Sequence, residues 1–158
     1  MAWPSILLRS VLHNIGVFFV GLAVAYAGTR VDRLLGISSI TSSLAEPVAW
    51  LLLAAGFLTR VWATVSFYAR NMRVISLVPQ RTLVKSGPYQ FSRNPLYLGG
   101  NVFTFFGAAL LLGSPAACIA TVVHLPLVDL FIRREEAQLE QAFGDEWRRY
   151  KTRVRRWL

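Results

Sequence analysis

The chain of 158 residues has little with which to bind metal or cross-link itself. It contains one cysteine, Cys118, which excludes an internal disulfide and a cysteine metal cluster. Cys118 lies in an apolar run, which suits a packing residue. The two histidines, His13 and His124, stand far apart, and neither has a second His, a Cys or a Glu at ligand spacing, so no metal site is expected. His124 reads as a packing histidine, and His13 with Asn14 as interfacial. There is no internal repeat and no low-complexity segment. The N-terminal MAWPSILLRS lacks a signal-peptide cleavage pattern, so the first apolar run is expected to remain as a membrane helix. Acidic residues are scarce, eight against 17 Lys and Arg.

What is present is apolar. Hydrophobic residues make up 54% of the chain, too many for an ordinary soluble domain of this size. A net charge of +9 would suit nucleic acid, but a nucleic-acid domain does not need several long apolar runs. A membrane protein with basic cytoplasmic loops explains both features, and no nucleic-acid partner is expected. Four runs approach bilayer length: about Ile6–Gly28, Glu46–Ala69, Leu96–Leu112 and Ala116–Ile132. Gly113-Ser114-Pro115 joins the last two as a tight helical hairpin. The prediction is an all-α integral membrane protein of about four transmembrane helices, with a C-terminal helical hairpin and a cytoplasmic amphipathic tail.

With the N-terminus in the cytoplasm, Arg9, Arg70, Arg73, Arg81, Lys85, Arg93 and the eight basic residues from Arg133 onward lie inside, against Arg30 and Arg33 outside. That asymmetry is a strong positive-inside signal and puts both termini in the cytoplasm. The chain then divides into helices one and two (1–69), a cytoplasmic loop (70–95), the hairpin (96–132) and the tail (133–158), all one membrane-embedded domain (1–158).

In the loop, GPYQFSRNPLY (Gly87 to Tyr97) is stiff, polar and aromatic. Gly87-Pro88 signals a turn. Pro95 suits the first position of a helix, with Asn94 as its N-cap. The free N–H groups of Leu96 and Tyr97 would then favour an anion, with Arg93 beside them and Tyr89, Phe91 and Tyr97 offering aromatic faces. A plain stiff cap with interfacial aromatics is the alternative. Past the fourth run come Glu135 and Glu136, at the same membrane face as Asn94 because of the hairpin. They can accept hydrogen bonds from hydroxyls or an ammonium group, or form an ordinary solvated helix start.

Arg60 and Asp129 lie within apolar runs, where ionisable groups face a partner or a cavity. They could pair with each other to hold helices together, or line an acceptor cavity; Asp129 could equally pair with Arg133, four residues on. Pro126 is expected to kink the fourth helix. In the tail, Leu139, Phe143, Trp147, Tyr150 and Val154 form an apolar stripe that Gly144 breaks in two. The last piece, WRRYKTRVRRWL, suits a helix lying on an anionic membrane surface, or a solvated basic tail.

Together, RTLVKSGPYQFSRNPLYLG (Arg81 to Gly99) and EEAQLEQAFGDEWRRYKTRV (Glu135 to Val154) resemble the isoprenylcysteine carboxyl methyltransferase and phospholipid methyltransferase group. The resemblance implies an integral-membrane enzyme using S-adenosylmethionine. It places Thr82, Leu83 and Val84 along the cofactor, with Arg81 at the edge. Tyr89 matches the tyrosine of a Gly-x-Tyr turn, Asn94, Pro95, Leu96 and Tyr97 match a His-Pro-x-Tyr segment, and Glu135 matches the first acid of a Glu-Glu pair. Asn94 stands where the family has histidine; it cannot titrate, which points to binding rather than proton transfer. Phe131 stands where the isoprenylcysteine enzymes carry an arginine.

The expected reaction is methyl transfer to a lipophilic acceptor, an isoprenylcysteine-type carboxyl or a similar lipid-like molecule, with membrane lipids around it and Arg60 or Asp129 as acceptor contacts. A phospholipid amine N-methyltransferase is the alternative within the class. A membrane NADPH-dependent reductase and a non-enzymatic membrane scaffold are the alternatives outside it.

Overall fold

The computed structural model describes residues 3–74 and 82–158. Arg81 lies outside the described residues. The described residues are helical, with no strand among them. Helix α1 is Trp3–Leu35, α2 is Ala45–Tyr68, α3 is Pro95–Leu111, α4 is Pro115–Phe143 and α5 is Asp145–Arg153. A short 3₁₀ turn, Gly87–Gln90, precedes α3.

Helices α1, α2 and α4 are long and apolar enough to cross a membrane, and α3 is a shorter apolar helix. Their outward faces carry large apolar side chains such as Leu8, Phe19, Leu51, Leu58, Ile119 and Leu127. In water such a surface would drive aggregation, whereas in lipid it is ordinary. The chain is therefore an integral membrane protein. At 29 residues, α4 is roughly 44 Å long against a hydrocarbon core of roughly 30 Å, so its last turns project beyond the apolar slab.

The end of α1 moves from the sequence expectation. Helix α1 does not stop at Gly28 but continues to Leu35, so Arg30 and Arg33 lie on its last turns rather than in a loop. The reason is Asp32, buried on the same turns. Its carboxylate accepts the Ser114 hydroxyl and the Ala116 N–H (2.9 Å), while Ser114 caps α4 by accepting the Ala117 N–H (3.1 Å). One carboxylate thus satisfies donors at the start of a neighbouring helix, where a negative charge also suits the helix dipole. The α3–α4 hairpin turns where expected, at Gly113 with a positive φ of 61°, followed by the Ser114 cap and Pro115.

Helix α3 packs against α1, α2 and α4. Ala25, Leu53, Ala108, Ala109 and Ala117 form a core cluster, with Cys118 packed against it as expected. Small residues let backbones approach: a Cβ on Gly56 would lie 2.6 Å from the Gly99 carbonyl oxygen. Such close packing replaces the hydrophobic drive that helices lack in lipid.

Between Leu98 and Thr104, α3 widens into a π-helical segment. Widened turns leave carbonyls without their usual partners, and side chains take them up. The Thr104 hydroxyl donates to the Gly99 carbonyl (2.7 Å), and the Arg60 guanidinium reaches from α2 to the Leu96 carbonyl (2.7 Å). Arg60 Nε also donates to Asn14 Oδ1 on α1 (2.8 Å), whose Nδ2 donates to Ser10 O and Thr64 Oγ1. Arg60 therefore does not pair with Asp129. Nor is Asn14 interfacial: it is buried and joins α1 to α2.

Replacing Asp32 by Ala should lower stability in detergent by about 1–3 kcal/mol, because two donors at the head of α4 lose their acceptor. Asn at this position should recover part of the loss, since its side-chain carbonyl can still accept. Thermal denaturation of the three proteins checks this; equal melting curves would remove Asp32 from the account of α4 placement.

Candidate functional site

The polar residues converge at one end of the bundle, where α2 ends, α3 begins and α4 projects. Glu136 on the last turns of α4 is buried. Arg93 approaches one carboxylate oxygen (2.9 Å), and Arg156 from the tail approaches the other (2.8 Å). Arg156 also reaches Asp129 Oδ1 (3.2 Å), and Asp129 takes Arg133 at 2.7 Å, the i,i+4 pairing foreseen from spacing. The hydrogen bonds to Glu136, ahead of its other contacts, hold the Arg156 guanidinium above its usual pKa.

Arg93 does more than balance charge. Its Nη1 donates to the Lys151 and Val154 carbonyls at the end of α5 (3.0 and 3.3 Å), and its guanidinium lies 5.8 Å from the Trp147 ring centroid. Its backbone N–H donates to the Arg155 carbonyl (2.9 Å). Ser92 Oγ and Asn94 Nδ2 both donate to the Arg156 carbonyl at 3.2 Å. The segment before α3 and the end of the chain are stitched side by side.

This overturns two expectations. Asn94 makes no side-chain cap of α3; its amide holds the tail instead. Pro95 needs no cap for its absent N–H, and the Asn94 backbone carbonyl accepts Leu98 N–H (3.0 Å), so the helix starts without the side chain. Trp147 and Tyr150 of the tail do not face outward as membrane anchors. Gly144 does break the stripe, between α4 and α5, but Trp147 and Tyr150 turn inward and are buried. Burial first, then the neighbouring phenol, pushes Tyr89 above the usual tyrosine pKa, and burial does the same for Tyr150. Tyr150 stays protonated and donates to the Tyr89 carbonyl (2.7 Å).

Of the residues singled out in sequence, Tyr97 and Glu135 meet directly. The Tyr97 hydroxyl donates to Glu135 Oε1 (2.8 Å), while Oε2 has no hydrogen-bond partner among the described residues. Val84 and Tyr89 pack with Ala63 and Met72, and Leu96 lies against that cluster. Thr82 is exposed, its hydroxyl 3.3 Å from Met72 Sδ, and Leu83 is half-buried. Arg60 stands one layer deeper, behind Leu96.

Beside this cluster an apolar groove of about 540 Å³ runs between Leu98 and Val102 of α3 and Val122, Leu125 and Asp129 of α4, with Trp157 at its end. Pro126 also lines it, inside a helix that continues through it. His124 packs across the same pair of helices, Nε2 3.1 Å from Asn101 Oδ1. Sequence reasoning missed Glu136, Arg156 and Trp157 as parts of one assembly. Their only signal was the surplus of arginine in a tail that also held aromatics.

Fold and site thus define a helical membrane protein with a charged, clamped mouth over a lipid-accessible groove. The chain belongs to the phospholipid methyltransferase (PEMT) family, whose description matches residues 44–146. That is a family of membrane methyltransferases, and the match covers the groove's α3 and α4 residues and the Tyr97–Glu135 contact, ending before Trp157. A protein of Haemophilus influenzae described as uncharacterized is 48% identical over 50 residues, 31% of this chain and 79% of that protein. No solved structure matches the chain. Among the described residues no group of His, Cys, Asp and Glu is placed to hold a metal ion.

Glu136→Ala should release the tail, since two guanidiniums lose their shared carboxylate. With Arg156 partly exposed, the cost should be about 2–3 kcal/mol. Trypsin should then cut after Arg153 or Arg155 at least tenfold faster than in the parent, with Glu136→Gln intermediate. Unchanged cleavage would show that the clamp does not hold the tail.

Proposed function

We propose that the protein transfers a methyl group from S-adenosylmethionine to a lipophilic acceptor at the cytoplasmic face of the membrane. The observation that carries this reading is the Tyr97–Glu135 contact. It unites two motif halves 38 residues apart, one from α3 and one from α4, the two helices that also line the apolar groove. The basic surplus at this end of the bundle supports its cytoplasmic placement.

The donor set fits the cofactor. Glu135 Oε2, without a hydrogen-bond partner among the described residues, can accept from ribose hydroxyls or the amino-acid ammonium group. Thr82, Leu83 and Val84 supply backbone and an apolar edge next to it. Asn94, Pro95 and Leu96 form the start of α3, with Tyr97 on its first turn, and Tyr89 anchors the preceding turn from within the core. When bound, S-adenosylmethionine supplies an activated methyl group on a sulfonium. The chain's task is to seat the acceptor in line and keep water out. The groove does this by lining the path with Leu98, Val102, Val122 and Leu125. Asn94 holds the tail and carries no proton. A carboxylate acceptor needs no base, so an isoprenylcysteine-type carboxyl suits a site without one.

A second reading, N-methylation of a phospholipid amine, is favoured by Asp129, an acidic residue that lines the groove. An acid at that point suits a cationic headgroup better than a carboxylate. A base-labile product would indicate an ester and a base-stable one an amine. Arg60, with its donors committed to Asn14 and Leu96, supports the start of α3 rather than the acceptor.

Calorimetry in detergent should detect binding of S-adenosylmethionine and of its demethylated product. Glu135→Ala should weaken both about tenfold or more, and Tyr97→Phe by less, as expected for loss of a charged acceptor and of a neutral partner. Binding of NADPH in place of S-adenosylmethionine would establish a reductase instead. No binding of either by the folded protein would favour a scaffold.

A further inference from the structure

Against α5 lies a second cavity of about 670 Å³ that shares no lining residue with the groove. It is lined by Lys85 and Gln90 from the segment before α3 and by Glu146, Arg149, Tyr150 and Arg153 of α5. Arg149 and Arg153 are four residues apart and share a helix face, where like charges repel. Their neighbours on the same helix are neutralised: Arg148 by Glu140 and Asp145, Lys151 by Glu140. Lys85 meets Glu146 at 2.6 Å. Neither Arg149 nor Arg153 has an acidic partner among the described residues. Even with the Glu146 carboxylate in the lining and paired to Lys85, the guanidiniums of Arg149 and Arg153 and the Gln90 amide leave the cavity net positive, which suits an anion with several oxygens.

We propose that this cavity binds a phosphate group. The chemistry is the same whether the phosphate belongs to an anionic lipid headgroup or is free in solution. A lipid is the favoured source, since α5 is fastened beside the membrane-crossing helices by Arg93, and basic residues near a bilayer surface attract anionic lipid. The site is independent of the methyl-transfer reading. It gives a role to two arginines of α5 that have no acidic partner among the described residues.

Native mass spectrometry of the full chain, released from vesicles of phosphatidylcholine with phosphatidylglycerol, tests the proposal. Phosphatidylglycerol adducts should be preferred over phosphatidylcholine. The double variant Arg149→Ala/Arg153→Ala should lose that preference about tenfold, while melting in phosphatidylcholine alone stays unchanged as a control of folding. The pair Arg148→Ala/Lys151→Ala removes the same charge from the same helix and should retain the preference. Displacement of the lipid by inorganic phosphate, with stabilisation that also needs Arg149 and Arg153, would assign the site to free phosphate. Absence of any preference, or equal loss in both double variants, would overturn the proposal.

Discussion

A carboxylate held between two arginines organises the functional end of this protein. Glu136 projects from α4 beyond the apolar slab, Arg93 comes from the segment before α3, and Arg156 from the end of the chain. Charge-assisted bonds between partly desolvated groups thus hold the segment before α3 and the end of the chain against α4. Because Arg93 also takes the last carbonyls of α5, the same residue decides where α5 ends and where it lies.

A second polar network sits one layer below. Arg60 ties α2 to Asn14 of α1 and to the Leu96 carbonyl, where α3 begins. An arginine this close to an apolar interior is tolerated because its donors meet acceptors on other helices. Its effect is to fix the start of α3, from which Tyr97 projects toward Glu135. The two networks therefore meet at α3: one sets its first turn, the other fastens the tail across it. The groove between α3 and α4 then has a rigid mouth and apolar walls, an arrangement suited to a substrate arriving from lipid.

Much of this was legible in the sequence. Four apolar runs, the Gly113 hairpin and the break at Gly144 follow from hydrophobic length and turn chemistry, which act locally. The hairpin alone implied that Tyr97 and Glu135 share a membrane face. What was hidden depended on rotation and distance. Glu135 and Glu136 are neighbours, yet about 100° apart around the helix, so one meets Tyr97 and the other two arginines. The sequence cannot show that angle without the packing. The contact of Asn14 with Thr64, 50 residues apart, left no local trace, nor did Asp32 reaching the start of α4. The tail's aromatics looked like membrane anchors because their stripe is the same whether it meets lipid or protein.

The central claim is that this clamped end performs methyl transfer into the membrane. The most direct measurement uses the purified protein in lipid vesicles with S-adenosylmethionine labelled in its methyl group, followed by organic extraction. Label should appear in the lipid-soluble fraction, made only by protein with an intact Glu136 clamp. Label that stays entirely in the aqueous phase, from protein shown to be folded and supplied with lipids from a native membrane, would contradict it.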